Sequence, residues 1–591
     1  MGRRHLASMA LWAVAVFGCT TAHATITVTA PPAGSTTVAA GDDYATQVIG
    51  DAWDMSNPQD IDTDESAQFN AQSFSGGLFT ATYATTGCNS GFYPLFMGYG
   101  TQTVAIARGP LYPVDTSHYR YFTAKFKATG TNASLNNILF FFQDGDSRVN
   151  NTYGASTFKS ANGNQWEILT WDLDTEFSTG TPYKPWTSLP HVQGIEFVPC
   201  NSATGGGLQV DWIRLTAAPS AAQMYTVMWS DTGGNTSYTI SAADADGATY
   251  IFTNSASGTS YSADLSRLAP GDYHITVAGN TSGTATSAGV LHVNAPPQVA
   301  VTAPSQRGEQ SLSYAVQQQG GQWAVPMSAA DFKTLVNFKS VGGSYFTNAT
   351  CGSGSFCGVP TNADPEFIMN TTGHTIDASY YRSACFTLEV YAPRNVGTGS
   401  IARLLWGVSA SAVSTTTDIV LGTGLVEYCM PDLADSTAVP LVSGSPQPWA
   451  GNLGYFRMDP DEITPAAVCS NASPPQSCFV RLDSVILSPF ASANPGYTFK
   501  WTFSDAESAS ANVDIYLDPD KIPGNGNEVL IGTTTASSGN NQFVWGGSGS
   551  VNYGKYYALL VTDDGTNSVS QYSGGPIIVG PSDGIFRNGF D

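Results

Sequence analysis

One pattern of residues occurs twice in this chain, at positions 262 residues apart. In each copy an Asp-x-Ser turn leads through Tyr-Arg into a run rich in β-branched and aromatic residues, which is typical of a half-buried strand. A period this long excludes a solenoid and fits the length of one or two domains. The sequence therefore predicts a tandem duplication. The aligned pairs are Asp115 with Asp377, Ser117 with Ser379, Tyr119 with Tyr381 and Arg120 with Arg382.

Shorter repeated motifs show which parts of the chain are duplicated. Tyr and Trp stand nine residues apart near the start of both copies, and a Pro-Trp pair occurs late in both. Between these markers, short strand patterns alternate with Gly, Asn and Ser, which predicts β-sandwiches and not α/β units. We therefore expect an all-β chain in which a large sandwich and a small sandwich are each present twice. The repeated motifs are Tyr44 and Trp53 with Tyr314 and Trp323, Pro185-Trp186 with Pro448-Trp449, and Tyr225 and Trp229 with Tyr497 and Trp501.

The first 24 residues have the three parts of a secretory signal peptide. Arg3 and Arg4 precede an apolar run from Leu6 to Gly18, and Ala22-His-Ala24 is an A-x-A cleavage site. Cys19 leaves a lipoprotein as the alternative. No later apolar run approaches the roughly 20 residues that a membrane-spanning helix needs. We therefore expect a secreted protein, either extracellular, periplasmic or associated with the cell surface.

The formal net charge of −23 limits the class of partner. Nucleic acids and other polyanions would be repelled, because no basic excess is present to neutralise them. The charged residues make up only 12% of the chain, so the acidic surplus is spread thinly and is typical of a solubilising surface. A glycan or a cell-surface polymer is the kind of partner that this composition permits.

Eight cysteines follow Cys19, and an even number in an exported chain indicates disulfides. Cys385 and Cys429 lie in strand patterns that match neighbouring strands of the first copy, so we expect them to pair. Cys88 and Cys200 are the only cysteines of the first large sandwich, which predicts a second pair. The other four leave two alternatives open. These are Cys351–Cys357 with Cys469–Cys478, or Cys351–Cys469 with Cys357–Cys478.

The order of these motifs resembles that of the galactose-binding-like jelly rolls appended to secreted bacterial proteins. The motifs are Asp-x-Ser-x-Tyr-Arg, a strand, Pro-Trp, Phe456-Arg-Met-Asp-Pro460 and Val210-Asp-Trp-Ile-Arg-Leu215. The resemblance covers about residues 42–217 and 300–490, and it implies jelly rolls of eight to nine strands and carbohydrate binding. The small units resemble fibronectin type III or immunoglobulin-like modules, with Tyr273 in the position of a tyrosine corner.

These patterns divide the chain into seven segments. A signal peptide (1–24) and a leader or linker (25–41) precede the first jelly roll (42–217) and the first small sandwich (218–296). The second jelly roll (297–490) and second small sandwich (491–580) follow. The remaining residues, 581–591, resemble an Ile-Phe-x-x-Gly-Phe-acid tail of exported proteobacterial proteins.

The common sequence motifs of catalysis do not occur in this chain. H-E-x-x-H, G-x-S-x-G and P-loop patterns are absent, and the histidines are scattered singly. A glycosidase acid pair has no sequence signature, so a polysaccharide-degrading enzyme stays an alternative. We expect no cofactor, with one exception. Asp518, Asp520 and Asn527 offer the hard oxygen ligands that Ca²⁺ prefers, with Asp244 and Asp246 as a shorter counterpart, although plain turns would explain both.

Aromatic residues in polar loops are the candidates for ligand binding. Tyr93, Tyr183 and Trp186 stand among Gly, Pro and Thr, where a ring can stack on a sugar while neighbours supply hydrogen bonds. Packing in the core is the alternative for such rings. We interpret the chain as a secreted, non-catalytic carbohydrate- or surface-binding accessory protein. A structural or adhesive spacer is the main alternative.

Overall fold

The computed structural model describes most of the chain after residue 24. The described ranges are 25–56, 60–62, 69–83, 93–94, 114–130, 133–142, 151–156, 159–160, 163–179, 185–188, 194–201, 205–323, 336–337, 339–340, 343–344, 346–348, 356–360, 365–391, 401–416, 419–420, 425–435, 441–442, 448–460, 479–493, 496–547 and 551–580. Within them no helix has the length and hydrophobicity needed to cross a membrane.

The first half of the chain contains twenty described strands and only short helical turns. The turns are Ala45–Ile49, Trp186–Ser188 and Ala221–Gln223. The strands are β1 Ile26–Ala30, β2 Ser35–Ala39, β3 Ile61–Asp62, β4 Phe69–Phe74, β5 Phe79–Tyr83, β6 Tyr93–Pro94, β7 Tyr119–Thr129, β8 Ala133–Phe142, β9 Asn151–Ser156, β10 Lys159–Ser160, β11 Glu167–Asp172, β12 Phe177–Thr179, β13 Gly194–Asn201, β14 Gly207–Ala217, β15 Met224–Asp231, β16 Tyr238–Ala243, β17 Thr249–Ala256, β18 Ser260–Asp264, β19 Gly271–Gly279 and β20 Thr284–Asn294.

The second half follows the same plan. Its helical segments are the turn Gln310–Leu312 and the helix α1, Tyr314–Gln319. The strands are β21 Gln298–Ala303, β22 Val336–Asn337, β23 Lys339–Ser340, β24 Gly343–Ser344, β25 Phe346–Asn348, β26 Phe356–Pro360, β27 Phe367–Met369, β28 Ile376–Asp377, β29 Ser383–Tyr391, β30 Ile401–Ser409, β31 Ala412–Thr416, β32 Ile419–Val420, β33 Val426–Met430, β34 Leu441–Val442, β35 Asn452–Leu453, β36 Tyr455–Asp459, β37 Phe479–Ser488, β38 Ala491–Ala493, β39 Tyr497–Ser504, β40 Ser510–Asp518, β41 Val529–Ser537, β42 Gly539–Trp545, β43 Gly554–Asp563, β44 Ser568–Tyr572 and β45 Ile577–Val579.

The two large sandwiches are jelly rolls with the same strand order. One sheet runs β4-β5-β14-β7-β11 in the first and β25-β26-β37-β29-β33 in the second. The facing sheet contains β8, β9, β12 and β13 in the first, and β27, β30, β31 and β36 in the second. Inward residues of both sheets form one apolar core in each jelly roll. The all-β fold class and its duplicated plan are as the sequence predicts.

The two small sandwiches also share their topology. A three-stranded sheet, β1-β15-β18 or β21-β39-β42, packs against a sheet built around β16 and β19 or around β40 and β43. The predicted tyrosine corner is present, because the Tyr273 hydroxyl donates to the Ala269 carbonyl over 2.9 Å. Tyr556 makes the equivalent bond to Asn552 over 3.1 Å. This bond ties the turn before the central strand to the sandwich.

The predicted leader, residues 25–41, is not a linker. Its strand β1 pairs with β15, and its strand β2 pairs in parallel with β20, so both belong to the first small sandwich. In the second half β21, at residues 298–303, pairs with β39 of the second small sandwich. Each jelly roll is therefore inserted after the first strand or strands of a small sandwich, and the predicted boundaries at 42 and 297 need this correction.

The first jelly roll and its small sandwich share a sheet. Glu167 of β11 pairs with Thr249 of β17, which joins their strands into one ten-stranded sheet. Ile168 and Trp212 project from the jelly-roll sheet into the apolar core of the small sandwich. This outer sheet face is therefore covered by protein.

Candidate functional site

The repeated motif fixes the start of a strand and does not form a binding site. Asp115 Oδ1 accepts hydrogen bonds from Ser117 N (2.9 Å) and Ser117 Oγ (2.6 Å). Arg120 then forms a bidentate pair with Asp172, and both bonds measure 2.6 Å. The second copy repeats both features with Asp377, Ser379, Arg382 and Asp432. The motif therefore encodes local structure.

The prediction that Trp186 stacks on a ligand is wrong. Its side chain is completely buried, and its Nε1 donates to the Tyr119 carbonyl over 2.8 Å. Trp449 repeats this bond to Tyr381, also at 2.8 Å. A ring enclosed on both faces cannot contact a sugar, so the Pro-Trp repeat reflects inherited packing.

Tyr93 and Tyr183 are the other two residues that the sequence predicts to bind a ligand. Tyr183 lies outside the described residues. Tyr93 belongs to β6, whose backbone pairs with β3 through Asp62. A role for either ring in ligand binding stays a prediction.

One predicted disulfide is present. Cys385 and Cys429 face each other on β29 and β33, with an S–S distance of 2.04 Å. Glu427 lies nearby, but both sulfur atoms are used in the disulfide, so this group is not a metal site. Cys200 and Cys357 fall on β13 and β26. Their pairings stay predictions, as do those of Cys88, Cys351, Cys469 and Cys478, which lie outside the described residues.

The shorter calcium candidate, at Asp244 and Asp246, already holds a cation. The Lys125 ammonium lies 2.7 Å from a carboxylate oxygen of each, and 2.6 Å from Asp211. Lys125 is almost fully buried, and it also lies 5.3 Å from the centre of the Trp166 ring. A lysine therefore supplies the positive charge that this turn would otherwise need from a metal ion.

The predicted calcium residues of the second half lie together in one loop. Asp518 Oδ1 accepts from Asp520 N over 2.9 Å, and Asp520 accepts from the Asn527 side chain over 2.8 Å. Asp518 is buried, and this burial raises its pKa although the Tyr572 hydroxyl bonds to it. The oxygen ligands fit Ca²⁺ in type. Asn525 and Asn527 donate their amide hydrogens to Asp520, so both amides would have to rotate to ligate an ion.

A group that the sequence analysis missed lies on the outer face of the second jelly roll. Phe456 and Met458 of β36 point into the core, so Tyr455, Arg457 and Asp459 point outward by strand alternation. Arg457 pairs in register with Ile368 on one neighbouring strand and with Leu405 on the other. We call this surface the Tyr455 face. Its residues are Glu366, Ile368, Arg403, Leu405, Val413, Thr415, Tyr455, Arg457 and Asp459.

Charge on the Tyr455 face is concentrated around one guanidinium group. Arg457 Nη1 contacts Glu366 Oε1, and its Nε and Nη2 contact the two oxygens of Asp459. Glu366 and Asp459 are buried, which makes a paired arginine necessary to offset the cost of removing them from water. The ion pairs therefore fix the orientation of these three side chains.

An aromatic ring lies beside this charged group. Tyr455 is half-buried, and burial, partly offset by Arg457, raises the pKa of its phenol. Its partner across the strand is Gly407, which has no side chain to cover the ring. A glycine is required there, because an added Cβ would lie 1.8 Å from the Ala412 carbonyl oxygen. The ring thus lies between the backbone of Gly407 and polar groups that are held in place by ion pairs.

The sequence contained a signal for this face. The motif Phe456-Arg-Met-Asp-Pro460 served only as a marker of the duplication. In the first copy the sequence has Gly194, Glu196 and Val198 at the positions that correspond to Tyr455, Arg457 and Asp459. Corresponding strand positions that carry different residues in the two copies were the sequence signal for this face.

Comparisons with known proteins add little to this geometry. No protein-family model and no curated protein matches the chain. The N-terminal CBM22-1–CBM22-2 tandem domain from Paenibacillus barcinonensis Xyn10C matches at 8% identity with a TM-score of 0.18, covering 76% of this chain and 98% of that chain. The native conformation of E. coli alpha-2-macroglobulin matches at 9% identity with a TM-score of 0.11, covering 78% of this chain and 28% of that chain. TM-scores this low support no conclusion about this protein.

Proposed function

We propose that this protein is a secreted, non-catalytic carbohydrate-binding protein whose binding surface is the Tyr455 face. The observation that carries the proposal is the half-buried Tyr455 ring beside the Glu366–Arg457–Asp459 group. Protein sites for sugars combine a flat ring, which covers the C–H surface, with a few fixed hydrogen-bonding groups. Of these groups, the partly exposed edges of Arg457 (16% side-chain exposure) and Glu366 (10%) are where hydroxyl groups would bond, whereas Asp459 (1%) holds Arg457 in place.

Charge favours a neutral ligand. The two arginines and two carboxylates of this face cancel in formal charge, so the face itself attracts neither anions nor cations. Uronate or sulfate groups would be repelled by the chain's net charge of −23, whereas neutral hydroxyl groups would not.

A spacer function is the second candidate, and specific contacts favour it. Lys125 joins the first jelly roll to its small sandwich through Asp244 and Asp246. Lys555 joins the second small sandwich to its jelly roll through Asp432, with an Nζ–Oδ2 distance of 2.9 Å. Modules joined by ion pairs of this kind suit a protein that holds other groups apart.

Retention on insoluble neutral polysaccharides distinguishes the candidates. We expect the exported chain to be retained on at least one of cellulose, β-1,3-glucan, mannan or chitin, and Tyr455→Ala to abolish that retention. Tyr553→Ala is the matched control, because Tyr553 is 66% exposed and lies on the second small sandwich. Unchanged retention of Tyr455→Ala would disprove this site. No retention of the unaltered chain would favour the spacer, and release of reducing sugar would reveal an enzyme.

A further inference from the structure

The second small sandwich docks onto the first half of the chain. The contact is made by the hairpin of β43 and β44, whose turn spans Asp564 to Asn567. It meets the first half at two places that are distant in sequence, near residue 40 and near residue 294. We infer that this hairpin is a docking element that binds the second half non-covalently to the first.

Asn567 is the centre of the docking element. It is 7% exposed, and its Oδ1 accepts from Ala40 N over 3.0 Å. Its Nδ2 donates to the carbonyls of Asn294 (3.2 Å) and Ala295 (3.1 Å). One side chain thus contacts three backbone groups of the first half, although the Ala295 carbonyl also accepts from Asn294 Nδ2 over 3.1 Å. Removal of Asn567 would leave the buried Ala40 amide without this acceptor.

The turn itself is shaped for this contact. Asp564 Oδ1 accepts from the backbone nitrogens of Thr566 and Asn567, each over 2.6 Å. Its other oxygen, Oδ2, accepts from Asn294 Nδ2 over 3.2 Å. The same carboxylate therefore holds the turn and contacts the other half.

A second contact caps a helical turn of the first half. The Gln571 side chain donates to the carbonyls of Thr46 (3.2 Å) and Gln47 (3.0 Å) in the turn Ala45–Ile49. Carbonyls in the last turn of a helix have no partner within the helix. His292 adds a bridge between halves, with 3.3 Å from its Nε2 to Glu507 Oε1.

The corresponding hairpin of the first half, between β19 and β20, does not serve as a docking element. Its turn is bound to its own sandwich, because Asn235 Oδ1 accepts from Thr281 N (2.9 Å) and Ser282 N (3.1 Å). Only the Asn567 hairpin therefore docks, and its docking joins the two halves of one chain without linking one chain to the next. The partner that fits the Asn567 hairpin is the first half of the same molecule.

Cleavage of the junction tests the inference. A recognition site for a specific protease is inserted between Pro296 and Pro297 of the full chain, beyond the Ala295 carbonyl that Asn567 uses. After cleavage we expect the two halves to co-elute in size-exclusion chromatography, and to separate in Asn567→Ala/Gln571→Ala. The matched control is Asn540→Ala/Gln542→Ala, which alters two exposed residues of β42 in the same sandwich.

Hydrogen exchange supplies a second readout in the uncut chain. The Ala40 amide should exchange at least tenfold faster in Asn567→Ala than in Asn540→Ala, because it loses its acceptor. Separation of the unaltered halves after cleavage would overturn the inference. So would co-elution of the Asn567→Ala/Gln571→Ala halves together with unchanged exchange at Ala40.

Discussion

Trp186 shows how burial decides the role of an aromatic residue. Its loop is polar and rich in Pro and Thr, which suggests a ring at the surface, yet the side chain is enclosed and its one polar atom bonds to the Tyr119 carbonyl. Tyr455 lies in a strand and faces outward, and the sequence did not indicate it as a candidate for ligand binding. As aromatic residues, both could be expected either in the core or at the surface. Only the residues around each ring decide which of the two it is.

Replacing Trp186 tests this core role. We expect Trp186→Phe to destabilise the first jelly roll by about 1–3 kcal/mol, because it opens a cavity and leaves the Tyr119 carbonyl unpaired. Trp449→Phe should cost the second jelly roll a similar amount, since its bond to Tyr381 has the same length. Urea denaturation measures both. Loss of stability no greater than that of Tyr553→Phe would refute the assignment.

His118 should make stability depend on pH. Its Nε2 lies 2.5 Å from Asp42 Oδ2, and this hydrogen bond raises the pKa of the imidazole above its ordinary value of 6.5. The contribution is fully present below pH 6.5 and is lost as the pH rises through the higher pKa of the folded state. It is small, because both side chains are about half exposed. The melting temperature should therefore fall across this window, and His118→Gln should flatten that fall whereas His374→Gln should not.

At the scale of elements, the disulfide pins two neighbouring strands of the second jelly roll. Cys385 and Cys429 are 44 residues apart, so their bond restrains a long loop in the unfolded chain. We expect Cys385→Ala/Cys429→Ala to lower the free energy of unfolding by about 3–4 kcal/mol. Urea denaturation of the second jelly roll checks this value, and an unchanged midpoint would contradict it.

Calcium binding by the Asp518 loop remains a prediction. If Asp518, Asp520 and Asn527 ligate the ion, millimolar calcium should raise the melting temperature of the second small sandwich, because a ligand of the native state stabilises it by mass action. Asp520→Asn should remove that rise. Asp514→Asn, a partly exposed change on β40, is the control. A melting temperature that does not respond to calcium would rule out the site.

At the scale of the whole molecule, a lysine in each half forms an ion pair between the jelly roll and the small sandwich, but the two lysines come from different modules. Lys125 comes from the first jelly roll, and the repeat places Thr387 at its position in the second. Lys555 comes from the second small sandwich, and Asp272 stands at its position in the first. The duplicated halves have therefore kept a polar connection while changing the side that supplies the charge.

Removing Lys125 should weaken this connection. Lys125→Met leaves the carboxylates of Asp211, Asp244 and Asp246 close together without this cation. We therefore expect the free energy of unfolding of the first half to fall by about 2–4 kcal/mol. Lys127→Met, on the same strand and partly exposed, should have little effect. Thermal unfolding compares the two variants. Millimolar calcium should restore part of the loss in Lys125→Met, and equal stability of both variants would contradict the role of Lys125.

The sequence alone determined the fold class, the duplication and one disulfide, because these depend on local patterns. Strand alternation, the Asp-x-Ser turn and the spacing of Tyr273 from its turn are properties of neighbouring residues, and they repeat in both copies. Cys385 and Cys429 could be paired because the first copy indicated which strands are adjacent.

Tertiary structure decided what surrounds each side chain. Strand β1 pairs with β15 about two hundred residues later, so the leader could not be placed in a sandwich from its own residues. Trp186 is buried by chain far from it in sequence, and Lys125 meets Asp244 and Asp246 only after two modules dock. Burial and charge pairing depend on such distant contacts, and this is the physical reason that the ion pairs of the Tyr455 face and the role of the Asn567 hairpin were decided only in the folded chain.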